Sequence, residues 1–162
     1  MKKTILPFSL AAILLIADQL VKKAVVSCFS LGDTFSVVPY VLEFYYLHND
    51  GAAMGSFQGM RWPLIIITAL VIIGCIVYLL TGKSISGILR YGLCLIVSGG
   101  IGNLIDRITL GYVIDYVRFP VTWFHYSFNL ADCAVCIGAG LIVLDLLLDI
   151  VKSKSQGQDA SL

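Results

Sequence analysis

The chain has 162 residues, of which 59% are hydrophobic and only 13% are charged. Soluble domains have about 45–50% apolar and about 25% charged residues, so a soluble fold of this length has no interior large enough for so much apolar surface. The net charge of +1 argues against nucleic acid as a partner, because nucleic-acid binding needs a concentrated basic patch. The composition therefore predicts an integral membrane protein.

Four hydrophobic segments are long enough to cross about 30 Å of hydrocarbon. We predict membrane-spanning segments at residues 5–21, 63–81, 88–105 and 130–151. Each segment must be helical, because the bilayer offers no other partners for its main-chain N–H and C=O groups. We expect a single domain over residues 1–162, with a disordered polar tail at residues 152–162.

The longer loops carry patterns typical of β-strands. Residues 34–46 are rich in Val, Phe and Tyr with partial alternation, and Val113, Asp115 and Val117 would share one face of a strand. Residues 51–59 are predicted to form a short interfacial segment. The predicted fold class is a mainly α membrane protein, with four transmembrane helices, a small extracytoplasmic β-sheet and this interfacial segment.

The orientation in the membrane is predicted from the distribution of basic residues. Four spans place both termini on one side, which carries six of the Lys and Arg residues, while the other side carries five. This is a weak positive-inside signal, and we expect the termini to be cytoplasmic. Both longer loops, and the carboxylates near them, then face the extracytoplasmic side.

Polar side chains gather at one end of the predicted helix bundle. Three pairs of residues lie on shared helix faces at this depth: Asp18 with Lys22, Asn103 with Arg107, and Asn129 with Asp132. Asp106 lies one turn from Asn103, and the loop segment 48–51 (HNDG) is a candidate to join the set. Charged groups near a bilayer are costly and are usually functional, so this end of the bundle is the candidate site.

Purely structural roles are also compatible with these residues. Asp18 and Lys22 suit an ion pair at a helix end, and Asn103 with Arg107 suits a contact between helices. Asn129 suits a helix N-cap, with Asp132 as a first-turn acid that the helix dipole favours. Asp115 suits a solvated strand position.

Other polar and small residues are predicted to lie outside the chemistry. We expect His48 to be a loop histidine, and Asp145 and Asp149 to face water or headgroups at the opposite end of the fourth span. Residues 99–102 (GGIG) lack the context of a nucleotide-binding loop and are predicted to let helices approach closely. The five cysteines are predicted to act mainly as small apolar residues, with no metal site.

The chain resembles the bacterial lipoprotein signal peptidases (signal peptidase II). The resemblance is carried by residues 18–22 (DQLVK), 49–53 (NDGAA), 99–107 (GGIGNLIDR), 111–116 (GYVIDY) and 128–132 (FNLAD). The third and fifth of these blocks are specific, and all five occur in the family's order. Met54 and Tyr116 stand where the family usually has Phe, and we expect them to change packing with little change in chemistry.

The resemblance implies an aspartic endopeptidase with Asp115 and Asp132 as catalytic residues. Its substrates would be prolipoproteins that carry diacylglyceryl on a cysteine, cut just before that cysteine. Residues expected to support the site or bind substrate are Asp18, Lys22, Asn49, Gly51, Asn103, Arg107 and Asn129. It also implies contact with membrane lipid, binding of globomycin-type inhibitors, and a monomer without cofactor in the bacterial cytoplasmic (inner) membrane, with its active site on the extracytoplasmic side.

The chemistry of two carboxylates fits peptide hydrolysis independently of the resemblance. A charged carboxylate takes a proton from water while a neutral one polarises the scissile carbonyl, so a pair that shares one proton supplies both functions. Neither a metal ion nor a covalent nucleophile is required. Ser98, Ser127 and Cys133 lack a histidine partner that would activate them.

Parts of the sequence are also compatible with two other classes of protein. Residues 2–28 superficially resemble a lipoprotein signal peptide ending at Cys28, but Asp18, Lys22 and Lys23 interrupt it and three further spans follow. A small transporter or channel subunit would also carry charged residues between helices. It is disfavoured because the polar groups gather at one surface and do not line the midplane.

Overall fold

The computed structural model describes residues 2–51, 57–121 and 124–159. The elements in chain order are α1 (Lys2–Cys28), β1 (Thr34–Val38), β2 (Leu42–Asn49), α2 (Arg61–Thr81), α3 (Gly87–Thr109), β3 (Val113–Val121), β4 (Phe124–Phe128) and α4 (Leu130–Asp159). The fold is therefore mainly helical with one small sheet, as the sequence predicts.

All four predicted spans are helices long and apolar enough to cross a membrane. Large apolar side chains cover their outer surfaces, and Ile13, Leu70 and Leu146 are each at least 60% exposed. Such exposure is unfavourable in water and natural in lipid, because acyl chains then cover these side chains. The protein is a multi-pass membrane protein.

Helix α3 is the centre of the bundle and packs against α1, α2 and α4. Its glycines allow this packing, since a Cβ on Gly99 would lie 2.2 Å from the main-chain oxygen of Ala131 in α4. A second close contact joins Gly92 to Gly138, where a Cβ on either glycine would meet the other's carbonyl oxygen at 2.7–2.8 Å. The prediction that residues 99–102 allow close helix approach is confirmed.

The four strands form one antiparallel sheet in the order β1-β2-β3-β4. The sheet begins where α1 ends, and Val25 of α1 packs against Tyr46 of β2 and Ile114 of β3 in a small buried cluster. This contact explains why α1 continues to Cys28, well beyond the apolar run 5–21, because the extension packs on the sheet. The base of β3 is thereby held at the end of the bundle, with Asp115 inside.

Two sequence predictions are wrong. Helix α4 continues to Asp159, so residues 152–159 are helical where a disordered tail was predicted; Lys and Gln residues there favour helix. Asp145 is buried, not solvated, and accepts a hydrogen bond from the Ser86 hydroxyl at the start of α3. The predicted interfacial segment 51–59 lies largely outside the described residues, as does Met54.

Candidate active site

A small cavity of about 60 Å³ lies where α3, α4 and the base of the sheet meet. The residues that line it are Asn49, Asn103, Arg107, Val113, Asp115, Tyr126, Ser127 and Asp132. The structure therefore brings Asp115 and Asp132 to one cavity, although they lie on different elements. It also places the predicted residues Asn49, Asn103 and Arg107 in the cavity wall.

The first turn of α4 is built by a reciprocal cap between Asn129 and Asp132. The Asp132 N–H donates to Asn129 Oδ1 at 3.0 Å, and the Asn129 N–H donates to Asp132 Oδ2 at 3.1 Å. This arrangement satisfies N–H groups that have no partner inside the helix. The capping role considered from sequence is thus present, and it orients the Asp132 carboxylate.

Two neighbouring elements complete this first turn. The Leu130 N–H donates to the Tyr116 hydroxyl at 3.1 Å, and the Ala131 N–H donates to Asp18 Oδ1 at 3.0 Å. Helix α4 is therefore held at its start by β3 and by α1. The hydroxyl of Tyr116 therefore supplies a hydrogen-bond acceptor to the first turn of α4.

Three asparagine amides hold the two carboxylates. Asn49 Nδ2 donates to Asp115 Oδ2 and Asn129 Nδ2 donates to Asp115 Oδ1, both at 2.8 Å, while Asn103 Nδ2 donates to Asp132 Oδ1 at 2.7 Å. Asn129 therefore bonds to both carboxylates, through its side chain to Asp115 and through its main chain to Asp132. This one residue couples their positions.

The environment of Asp115 favours its protonated form. Its side chain is almost completely buried, and this burial, followed by the nearby charge of Asp132, raises the pKa of Asp115 from 3.8 to about 7. Hydrogen bonds from Asn49 and Asn129 and the charge of Lys22 oppose that rise without cancelling it. At neutral pH the carboxyl group of Asp115 is thus poised to exchange a proton.

A second buried cluster lies directly behind Asn103. Lys22 Nζ is 2.9 Å from Asp18 Oδ2, 2.8 Å from Asp106 Oδ2 and 3.0 Å from Asn103 Oδ1. Because Asn103 Oδ1 accepts from Lys22, its Nδ2 must point the other way, towards Asp132. The structure thus connects the predicted Asp18–Lys22 pair to the cavity through one amide.

Arg107 reaches the first loop at the edge of the cavity. Its guanidinium donates to the carbonyl oxygen of Gly51 at 2.9 Å, and the Gly51 N–H donates to Asn49 Oδ1 at 3.0 Å. The second contact orients the Asn49 amide so that its Nδ2 faces Asp115. All nine site residues predicted from the sequence therefore belong to one connected set of hydrogen bonds and ion pairs.

His48 and Asp50 are not brought into this set. The His48 ring is stacked on the Tyr112 ring, with 3.7 Å between the ring centroids. Its Nε2 lies 2.9 Å from the Tyr46 hydroxyl oxygen. Burial lowers the pKa of His48, which suits a neutral packed imidazole. Asp50 is exposed, so only Asn49 and Gly51 of this short segment contact the site.

Further residues that contact the site were not among the nine assigned to it from the sequence. Asp106 and Gln19 belong to the Lys22 cluster, and Gln19 Nε2 donates to Asp106 Oδ1 at 3.3 Å. Both lie inside blocks that carry the family resemblance, and that position was a usable signal. Tyr126 and Ser127 line the cavity from β4, and no pattern in the sequence pointed to them.

A larger, mostly apolar groove of about 270 Å³ runs between α2, α3 and α4. Leu64, Ile67 and Val71 of α2 form one wall. Asn103, Arg107 and Asp132 line both this groove and the smaller cavity, so the two spaces meet at Asp132. An apolar segment lying in the groove would therefore end beside the carboxylates.

Known proteins resemble this chain along most of its length. The family model described as signal peptidase (SPase) II matches residues 10–148. The lipoprotein signal peptidase of Streptococcus pyogenes serotype M3 is 42% identical over 147 residues, which cover 90% of this chain and 95% of that protein. The lipoprotein signal peptidase of Lactobacillus johnsonii is 40% identical over 135 residues, 83% of this chain and 87% of its own.

Solved structures agree with this assignment. A bacterial membrane enzyme solved by the in meso method at 2.3 Å superposes with a TM-score of 0.81 at 29% identity, over 93% of this chain and 90% of its own. A second, solved at 1.9 Å, gives a TM-score of 0.76 at 29% identity, over 91% of this chain and 94% of its own. Both the sequence match and the shared fold extend over most of the chain. The chain therefore belongs to the signal peptidase II family.

Proposed function

We propose that this protein is an aspartic endopeptidase that removes signal peptides from diacylglyceryl-modified prolipoproteins, cutting just before the lipidated cysteine. The observation that carries the proposal is that Asp115 and Asp132 line one cavity and are coupled through Asn129. The relatives' name, lipoprotein signal peptidase, supports the choice of substrate. A transporter or channel subunit is not favoured, because the family is one of peptidases.

The two carboxylates are assigned different functions. Asp115 is the proton-bearing acid, since its pKa is raised to about 7. Asp132 is assigned as the base, since the Asn129 N–H and the Asn103 amide orient its two oxygens at the N-terminal end of a helix, where negative charge is favoured. The proton belongs to the pair as a whole, so both residues determine the pH dependence.

Hydrolysis then follows from this arrangement. Asp132 removes a proton from a water molecule, whose oxygen bonds to the scissile carbonyl carbon, while Asp115 donates a hydrogen bond to the carbonyl oxygen. The C–N bond breaks as Asp132 passes its proton to the leaving amine. The products are the free signal peptide and a new amino terminus on the lipidated cysteine.

The remaining residues of the site are assigned supporting functions. Asn49, Asn103 and Asn129 hold the carboxylates at fixed positions, and Arg107 anchors the loop that carries Asn49 through its bond to Gly51. Asp18 and Lys22 fix α4 and the Asn103 amide. Preorganised groups of this kind cost no reorganisation during the reaction.

The apolar groove supports recognition from within the bilayer. It lies between membrane-spanning helices and ends at Asp132, so an apolar signal segment lying there would have its end next to the carboxylates. Two acyl chains on the cysteine would bury additional CH₂ groups, at about 0.8 kcal/mol each, and would hold the scissile bond at the membrane surface. Cyclic lipopeptides such as globomycin are expected to compete for the same site.

The deciding experiment compares lipidated and unlipidated substrate. Purified protein in lipid vesicles is incubated with a precursor peptide that either carries or lacks diacylglyceryl on its cysteine, and the products are identified by mass spectrometry. We expect one cut, immediately before the modified cysteine, in the lipidated peptide alone. Equal cutting of both peptides would contradict the assigned substrate.

The proposed location is the bacterial cytoplasmic membrane, with the protein as a monomer and the carboxylates on the extracytoplasmic side. The orientation is tested by labelling single cysteines introduced at Val37 in β1 and at Gly82 between α2 and α3, in a background without the native cysteines. An impermeant thiol reagent added to intact cells should label the first position and not the second. The reverse pattern would place the site on the wrong face of the membrane.

A further inference from the structure

Strand β4 (Phe124–Phe128) is an edge strand, because the sheet order pairs it with β3 alone. Its register with β3 is unbroken from Val117 opposite Phe128 to Val121 opposite Phe124. An edge strand presents main-chain N–H and C=O groups that another extended chain can bind. Groups of this kind could bind a substrate if they lie close to Asp115 and Asp132.

Pro120 determines which groups of β4 face outward. Pro120 lies opposite His125 and has no N–H, so these two cannot be a hydrogen-bonded pair. Hydrogen-bonded and non-hydrogen-bonded pairs alternate along an antiparallel ladder, so Arg118 opposite Ser127 is also non-hydrogen-bonded. The N–H and C=O of Ser127 therefore point away from β3, and no other described residue bonds to them.

The outward edge at Ser127 lies at the catalytic cavity. Tyr126 and Ser127 both line that cavity, although side chains of consecutive strand residues point to opposite faces. Main-chain atoms of this part of β4 must therefore contribute to the cavity wall. The cavity is small, at about 60 Å³, so only a short part of a peptide can enter it, and the rest of that peptide can run along β4 at its rim.

Building on the peptidase function above, we infer that the substrate segment around the scissile bond binds as a fifth strand on the free edge of β4. The N–H and C=O of Ser127 pair with one substrate residue near the cut. Strand addition binds the main chain of the peptide, and it holds that chain extended while Asp115 and Asp132 act on the neighbouring bond. The apolar groove would bind the signal segment that precedes it.

The test removes the N–H of Ser127 alone. Ser127→Pro deletes an outward-facing N–H at an edge position, where proline is tolerated. Ser127→Ala is the matched variant, since it removes the side-chain hydroxyl and keeps the N–H. The KM of Ser127→Pro for the lipidated precursor should be about five to ten times that of Ser127→Ala, the effect of one lost hydrogen bond, with kcat values within about twofold. Equal KM values in the two variants would overturn the inference.

A second measurement uses the unaltered protein, so that it also decides the matter if Ser127→Pro does not fold. Lipidated precursors carry a single N-methyl group at successive residues on either side of the scissile bond. Because a strand presents N–H groups to the same edge at every second residue, KM should rise at alternate positions. A rise at no position, or equally at all of them, would exclude strand addition.

The two proposals fail in different ways. If the unaltered protein does not cut the unmodified lipidated precursor, the peptidase function itself is wrong. If it cuts that precursor but shows no alternation with N-methyl substrates, only the strand addition is wrong.

Discussion

Two sets of carboxylates lie on either side of Asn103 at the same end of the helix bundle. Asp18 and Asp106 each bond to the Lys22 ammonium group, at 2.9 and 2.8 Å. Asp115 and Asp132 instead receive hydrogen bonds from asparagine amides and main-chain N–H groups. Asp18, Asp106 and Asp115 are buried and Asp132 is half-buried, so the two sets differ mainly in their partners.

The partner decides what each carboxylate can do. An ammonium group in direct contact pairs with a buried carboxylate and fixes it in place, which suits a structural role. Neutral amides orient the second pair without supplying a charge that would fix its protonation. Burial then raises the pKa of Asp115, and one proton becomes available for chemistry. Burial alone therefore does not distinguish these carboxylates, whereas their hydrogen-bonding partners do.

The largest expected effect comes from Asp115→Asn and Asp132→Asn. Asn keeps the size of Asp and one of its two accepting oxygens, but it exchanges no proton at neutral pH. We expect each variant to lose about 10³-fold or more of single-turnover cleavage, and the double variant to be little slower than either. Both should keep their thermal midpoint within a few degrees in detergent. Near-normal cleavage by either variant would contradict the aspartic mechanism.

The main expected effect of Lys22→Met is a loss of stability. It leaves Asp18 and Asp106 buried without their cation, which costs about 3–5 kcal/mol and lowers the unfolding midpoint in detergent. Adding Asp106→Asn should restore part of that loss. Glu43→Gln is the control, because its pair with Arg118 is about a quarter exposed and contributes about 1 kcal/mol or less. If Lys22→Met were stable but inactive, Lys22 would have to be assigned a role in catalysis and not in structure.

The pH dependence should follow the pKa of Asp115, raised from 3.8 to about 7. The folded protein then holds this proton more tightly than the unfolded chain, so the associated stability is complete below pH 3.8 and is lost as pH rises through about 7. We expect kcat/KM to fall by about tenfold per pH unit above that value. Asp115→Asn should lack this loss of stability. A flat kcat/KM between pH 6 and 9 would contradict the assignment of Asp115 as the acid.

The smallest effect is expected at the opposite end of the bundle. Asp145 is buried and accepts from Ser86 Oγ, which in turn caps α3 by accepting from the Leu89 N–H. Asp145→Ala should cost about 1–2 kcal/mol of unfolding free energy and leave kcat unchanged. Asp149→Ala, at an exposed position on the same helix, should change neither. Loss of activity in Asp145→Ala at full stability would show that this end also serves catalysis.

The helical part of the fold was predictable because lipid imposes a simple rule. A run of about 20 apolar residues must form a helix that satisfies its own main chain, so all four spans were found. The ends of these spans were predicted less accurately, because α1 extends to pack Val25 on the sheet and α4 continues to Asp159. Strands β1, β2 and β3 lie where alternation in the loops indicated strands, whereas β4 and its register with β3 were not predicted.

The candidate site was partly predictable through helical spacing. Residues one turn apart share a face, so Asn129 with Asp132 and Asp18 with Lys22 could be paired before any contact was known. The same rule gives no information about the facing helix. It therefore missed the bond of Lys22 to Asp106 and the burial of Asp145 against Ser86. The catalytic roles of Asp115 and Asp132 remain predictions.

The sequence by itself determined that this chain spans a membrane four times and carries carboxylates near one surface, because apolar length and residue spacing are local properties. Only the tertiary structure decided which carboxylate meets a lysine and which meets an amide. Those partners come from α1, α3 and the sheet, many residues apart in the chain, and the close approach at Gly99 and Ala131 sets how near they lie. Long-range packing therefore assigns different chemistry to the same residue type.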